Sequence, residues 1–163
     1  MGIADTQKGE KMNKYLVLDL DNKNDAWYFG NKFLNDRNDW KDKIRKHQKD
    51  LESVSELKGI NYTDVHSGNV GNPTQNTAML EISIMEKIED LERYEHILTY
   101  GLSQLEEKDA DIINGLYFTR GKYVSAIVDE LAIKYECDPS TIYRHKRTAV
   151  LNFVDAVRVF IQE

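Results

Sequence analysis

The sequence predicts a mostly α-helical chain: a C-terminal three-helix helix-turn-helix unit carried on a long helical stem, with a short β-hairpin at the N-terminus. Three observations lead there. Apolar residues recur every three to four positions from Trp40 to Leu57 and again from Ile84 to Leu105, the period of a helix with one buried face. The run from Val124 to Phe153 divides into two helical stretches around a tight turn, the second opening with Asp138-Pro139. β-prone residues, by contrast, gather only in short runs before residue 30.

Taken in order, residues 1–13 are polar, with Gly2 and Gly9, and read as a tail. Tyr15 to Leu20 and Ala26 to Phe29 flank Asp21-Asn22-Lys23-Asn24-Asp25, a run of turn formers, which predicts the hairpin. From Asp39 to about Leu57 the stripe Trp40, Ile44, Leu51, Val54, Leu57 predicts a helix. Gly59, Gly68, Gly71 and Pro73 interrupt any helix over 59–74, so that stretch reads as a loop. A long helix should follow from about Thr74 to about Gln104, its stripe of Ile84, Ile88, Leu91, Leu98, Leu102 and Leu105 broken only by Glu95. So narrow a stripe suits an antiparallel hairpin with the 39–57 helix, and equally a two-chain coiled coil. A shorter helix from about Lys108 to Phe118 turns Ile112, Ile113 and Leu116 inward, and Thr119-Arg120-Gly121 makes a turn before the final pair. The domain boundaries that result are 1–38 for the N-terminal extension, 39–105 for the stem and 106–163 for the helix-turn-helix unit.

Composition narrows the function classes. A net charge of −6 over 163 residues argues against a protein that coats nucleic acid indiscriminately, but charge is segregated. Arg144, Lys146, Arg147 and Arg158 lie near the C-terminus, while Glu86, Glu89, Asp90, Glu92 and Glu95 crowd the long helix, where a solvated face explains them. The single cysteine, Cys137, cannot form an internal disulfide. No apolar run approaches the roughly 20 residues of a membrane span, and the N-terminus lacks the apolar stretch of a secretory signal. A cytoplasmic protein is expected.

Catalytic patterns are thin. Leu16 to Asn22, LVLDLDN, mimics the Asp-x-Asp strand of haloacid-dehalogenase phosphatases, but that chemistry requires a parallel sheet that the helical remainder does not supply. Asp19, Asp21 and Asp25 lack the glycine and terminal glutamate of a calcium loop. His47, His66, His96 and His145 are too scattered for a zinc site. No catalytic residue, metal site or cofactor is expected.

The richest segment is the last. Asp138 suits an N-cap, and Pro139 suits the first helical position, where its missing N–H costs nothing. Ile142, His145, Ala149, Val150 and Phe153 then share the inward face, leaving Ser140, Thr141, Tyr143, Arg144, Lys146 and Arg147 outside it. A short helix with a polar, basic front end has the shape that enters a DNA major groove. Glu130 on the preceding helix is expected to pair with one of its cations, and Cys137 to fill a small buried position in the turn.

The stretches LSQLEEKDADIINGLYF and VDELAIKYECDPSTIYRHKRTAVLNF resemble region 4 of bacterial sigma factors. The span from about residue 40 to 162 is similar to the phage ArpU-like and RinA-like late-gene transcriptional regulators, including a loop with Tyr62-Thr63-Asp64 and Ser67-Gly68-Asn69 before Pro73. The resemblance implies that Pro139, Ser140, Tyr143 and Arg144 lie nearest base edges, with Lys146 and Arg147 along the phosphate backbone. Chemistry adds that Arg144 can give a bidentate contact to guanine, Ser140 and Thr141 can reach phosphate or a base, and Tyr143 can touch a thymine methyl. Two departures stand out. Glu136 occupies a turn position where the family usually has glycine, because that residue tends to need a left-handed backbone. The span between Phe118 and Leu131 is also about one helical turn longer than usual.

The function expected is a sequence-specific DNA-binding transcriptional regulator, a phage or prophage late-gene activator, with double-stranded DNA as partner. RNA polymerase and a second copy held through the 75–105 helix are further expected partners. The alternative is a DNA-packaging recognition protein of the terminase small-subunit kind, which also joins a helix-turn-helix to an oligomerising stem.

Overall fold

A computed structural model describes residues 19–61 and 73–161, and all regular structure among them is helical. Helix α1 runs Lys23–Asn61, α2 Pro73–Ser103 and α3 Glu107–Ile113; α3 continues directly into a π-helical turn, Asn114–Phe118, and α4 (Val124–Lys134) and α5 (Pro139–Ile161) complete the chain. The mostly α architecture is therefore as expected. No helix among the described residues is long and apolar enough to cross a membrane.

The N-terminal hairpin is corrected. Ala26 to Phe29, its proposed second strand, is helical, and the proposed turn is a helix start; Tyr15 to Leu18 lie outside the described residues. The side chain of Asn22 accepts from the amides of Asn24 at 2.9 Å and Asp25 at 3.4 Å, which makes it the N-cap of α1. Asp19 accepts from the Asp21 amide at 3.0 Å, and Asp25 accepts back from the Asp19 amide at 3.3 Å. Short polar side chains that close a hairpin turn also cap a helix, so the same five residues fit both. The deciding signal lies downstream. Ala26, Phe29, Gly30, Phe33 and Leu34 follow the i, i+3, i+4, i+7, i+8 spacing of a helix face, and all five are buried.

The expected loop is shorter than 59–74: α1 continues to Asn61 and α2 begins at Pro73. The Tyr62 to Asn69 segment lies outside the described residues.

Two compact units emerge, each containing parts of both long helices. In the first, residues 19–36 join 97–161; the second is Arg37–His96. Residues 19–36 are thus not separate from the rest. Phe29, Phe33 and Leu34 sit in one core with Ile97 and Leu98 of α2, Ile112 and Ile113 of α3, Ile127, Val128 and Leu131 of α4, and Ile142, Val150, Phe153 and Val157 of α5. Each fully buried side chain of this size contributes about 1.5–3 kcal/mol relative to exposure. Two glycines set how closely the helices approach. A Cβ on Gly30 would stand 2.5 Å from Val150 Cγ1 and 2.7 Å from Val154 Cγ2; one on Gly101 would run into Phe153 and Val157.

The π turn changes which residue faces inward. One extra residue in the turn rotates the chain by about 100° against an α-helix. Tyr117 is consequently buried where Leu116 was expected, and Leu116 is only partly covered. The Tyr117 hydroxyl donates to Asn31 Oδ1 at 2.7 Å, satisfying the polar end of a ring whose burial pushes its pKa up.

In the second unit Trp40 of α1 lies against Tyr94 of α2 with ring centroids 5.7 Å apart, and Val54, Ile84 and Leu91 are buried. Burial, followed by the charge of Asp90, raises the Tyr94 pKa. The two helices therefore pack on each other within one chain, as the antiparallel hairpin requires. Leu57, counted on the inward stripe, is exposed, as are Met79, Leu80, Ile82 and Met85 on α2.

Candidate nucleic-acid interface

The turn between α4 and α5 is closed by backbone hydrogen bonds. The Cys137 N–H donates to the Ala132 carbonyl at 3.0 Å and the Glu136 N–H to the Ile133 carbonyl at 3.3 Å. This is the Schellman arrangement, which requires a left-handed residue between them. Glu136 supplies it with φ of 51°, the sole non-glycine residue with positive φ among those described. The turn geometry that favours glycine is thus kept with a glutamate in place. Cys137 beside it is half-buried rather than fully enclosed.

Helix α5 then starts at Pro139, with the Thr141 N–H donating to the Asp138 carbonyl at 2.9 Å. Ile142, Ala149, Val150 and Phe153 are wholly buried and fasten one side. Pro139, Ser140, Tyr143, Arg144 and Arg147 are exposed, and Thr141 is partly so. Ser140, Tyr143, Arg144 and Arg147 recur at three- and four-residue steps, which places them along one face.

Arg147 and Lys146 also meet α1, an involvement the sequence did not suggest. Arg147 donates to Asn24 Oδ1 at 3.0 Å, and its guanidinium lies 5.8 Å from the centre of the Trp27 ring. Lys146 is partly buried, with its ammonium 5.0 Å from the Tyr117 ring and 5.9 Å from that of Trp27. Its desolvation lowers its pKa. Arg147 is therefore tethered but open, whereas Lys146 is drawn against aromatic faces. Arg144 stands in solvent. Trp27 and Asn24 belong to the site through the spacing of α1, which also buries Phe29 and Phe33.

His145 is partly covered, its Nε2 3.5 Å from Lys108 Nζ. Lys108 also lies 5.5 Å from the ring centre of Tyr135, so α3 brings a cation beside α5. Further back, Asp111 accepts from Lys134 at 2.5 Å and from the Tyr135 hydroxyl. These donors, Lys134 first, hold its carboxyl below the usual carboxylate range. Glu130 pairs with Lys122 at 2.9 Å, not with a cation of α5; Lys122 just precedes the same helix. Asp109, buried, accepts from Asn152 Nδ2 at 2.8 Å and ties α3 to the middle of α5.

Among the described residues no cluster of histidine, cysteine and carboxylates has the makings of a metal site. The α5 face offers instead a hydroxyl, a phenol and two guanidiniums on a rigid helix, a set suited to hydrogen bonding with bases and phosphates. No protein-family model matches the chain, and neither the curated proteins nor the solved structures contain a match to it.

Proposed function

We propose that this chain is a sequence-specific DNA-binding transcriptional regulator, a late-gene activator of phage or prophage origin, which reads double-stranded DNA with the exposed face of α5. The observation that carries this is the division of α5. Ile142, Ala149, Val150 and Phe153 lock one side into the core, while Ser140, Tyr143, Arg144 and Arg147 stand on the other, immediately after a tight helix–helix turn. A recognition helix needs both a fixed orientation and a free polar side. RNA polymerase and a second copy of the chain are further proposed partners. Two copies would read two half-sites about 10 base pairs apart, or a multiple of that.

The test begins with recovery of bound DNA across the host and phage genomes, followed by mobility shifts on the enriched site. Arg144→Ala should weaken specific binding by about 1–3 kcal/mol and relax the preference at one base pair. Enrichment upstream of lysis or morphogenesis genes supports the activator. Enrichment at a packaging start, with a ring of many copies in solution, gives the chain to the packaging class. Binding that survives combined reversal of Arg144 and Arg147 to glutamate, with an unchanged salt slope, rejects α5 as the reader.

A further inference from the structure

Beside the turn that precedes α5 lies an open groove whose apolar lining is Ala132, Ile133, Cys137 and Pro139. Its charged lining is Asp129, Glu136 and Asp138, with no cation among the lining residues. Ile133, within that lining, is 79% exposed. The carboxylates differ from two of their neighbours. Asp111 and Glu130 nearby are each met by a lysine, at 2.5 Å and 2.9 Å, whereas Asp129, Glu136 and Asp138 are all exposed and have no ion pair among the described residues. Three uncompensated negative charges around an exposed aliphatic side chain form an anchor position inside an anionic frame.

We propose that this groove docks a cationic amphipathic segment of another protein, one that sets an aliphatic side chain against Ile133 and lysines or arginines against the three carboxylates. Charge decides the occupant. A phosphate backbone would be repelled by the same carboxylates that attract a basic segment. The apolar contact supplies a central anchor, and the charges supply encounter rate and selectivity. The inference does not rest on DNA reading by α5: the lining comes from α4, the turn and Pro139, and includes none of Ser140, Tyr143, Arg144 and Arg147.

Cys137 is the only cysteine in the chain and lines the groove, so the rate at which a neutral maleimide modifies it reports occupancy. The probe is a short helical peptide of leucine and lysine, compared with one in which glutamate replaces every lysine. With the full-length chain, the lysine peptide should slow Cys137 modification and shift the Ile133 methyl resonance, progressively less as salt rises; the glutamate peptide should do neither. Ile133→Ser, and separately the pair Asp129→Asn with Asp138→Asn, should each weaken protection about tenfold. Exposed positions make these variants safe for the fold, which circular dichroism checks. Resonance shifts confined to Glu86–Glu95, or unaltered modification, overturn the proposal. So does equal protection by a DNA duplex, or protection that rises with protein concentration alone, which would assign the groove to DNA or to a second copy. Arg144→Ala separates the two ideas: it should impair DNA binding and leave peptide protection intact.

Discussion

At the scale of single residues, Glu136 and Asp111 carry the sharpest consequences. Glu136 holds φ of 51° because the Schellman hydrogen bonds on either side of it leave no other conformation. A side chain with a Cβ there costs about 1 kcal/mol relative to glycine. Glu136→Gly should therefore raise the midpoint of urea unfolding, while Glu136→Ala should leave it nearly unchanged; a loss of stability with glycine would mean that the glutamate side chain contributes more than the backbone strain. Asp111 links stability to pH. Hydrogen bonds from Lys134 and Tyr135 lower its pKa below the ordinary value of 3.8. A depressed carboxylate contributes stability that is fully present above the unfolded pKa and is lost as pH falls through the folded value. The stability difference between the native chain and Asp111→Asn should accordingly be constant from pH 5 to 7 and shrink as pH drops below about 3.8, as unfolding curves at a series of pH values would register.

At the scale of elements, the two glycines that face α5 predict how tightly it is held. Gly30→Ala would press a methyl between Val150 and Val154, and Gly101→Ala would press one against Phe153 and Val157. Overpacking of this kind costs about 1–3 kcal/mol, and thermal unfolding of each variant should show it as a lowered midpoint. Trp27→Ala acts on the face of α5 itself. With that ring gone, Lys146 and Arg147 lose their shared partner, and the proposed DNA binding should weaken and become more salt-dependent without a change in the helical content. The helices that sequence alone made plain were those with long, regular stripes: α2, α4 and α5, including the Pro139 start and the inward Ile142, Ala149, Val150 and Phe153. The π turn is invisible in the sequence because Ile112, Ile113 and Leu116 keep ordinary helical spacing; Tyr117 is drawn inward by packing and by its bond to Asn31, 86 residues away. The start of α1 is hidden in the sequence for a different reason. Aspartates and asparagines cap helices and close hairpins equally well, and a window ending at Phe29 stops before Phe33 and Leu34 complete the helical period.

At the scale of the molecule, the deciding fact is that the helix-turn-helix unit borrows its core from both long helices. Phe29, Phe33 and Leu34 of α1, with Ile97 and Leu98 of α2, are buried in the same unit as α3, α4 and α5. A fragment containing only 104–163 would expose side chains that α1 and α2 cover: Phe153 against Phe33 and Gly101, Val150 and Val154 against Gly30, and Val157 against Gly101. Large core side chains contribute several kcal/mol each when removed, a sum comparable to the entire stability of about 5–15 kcal/mol of a small domain. The fragment should therefore lack a cooperative unfolding transition and bind DNA weakly if at all. The contrasting variant keeps 1–36 and 97–163 and replaces Arg37–His96 with a flexible linker. It retains every buried residue just named and should unfold cooperatively. If a second copy associates through the stem, this variant should be monomeric by sedimentation and, on the proposed DNA-reading function, should keep the full chain's affinity for one half-site while losing the added affinity for paired half-sites. A linker variant that remains dimeric would place self-association on the unit that contains α5; one that fails to fold would show that Arg37–His96 contributes to that core after all.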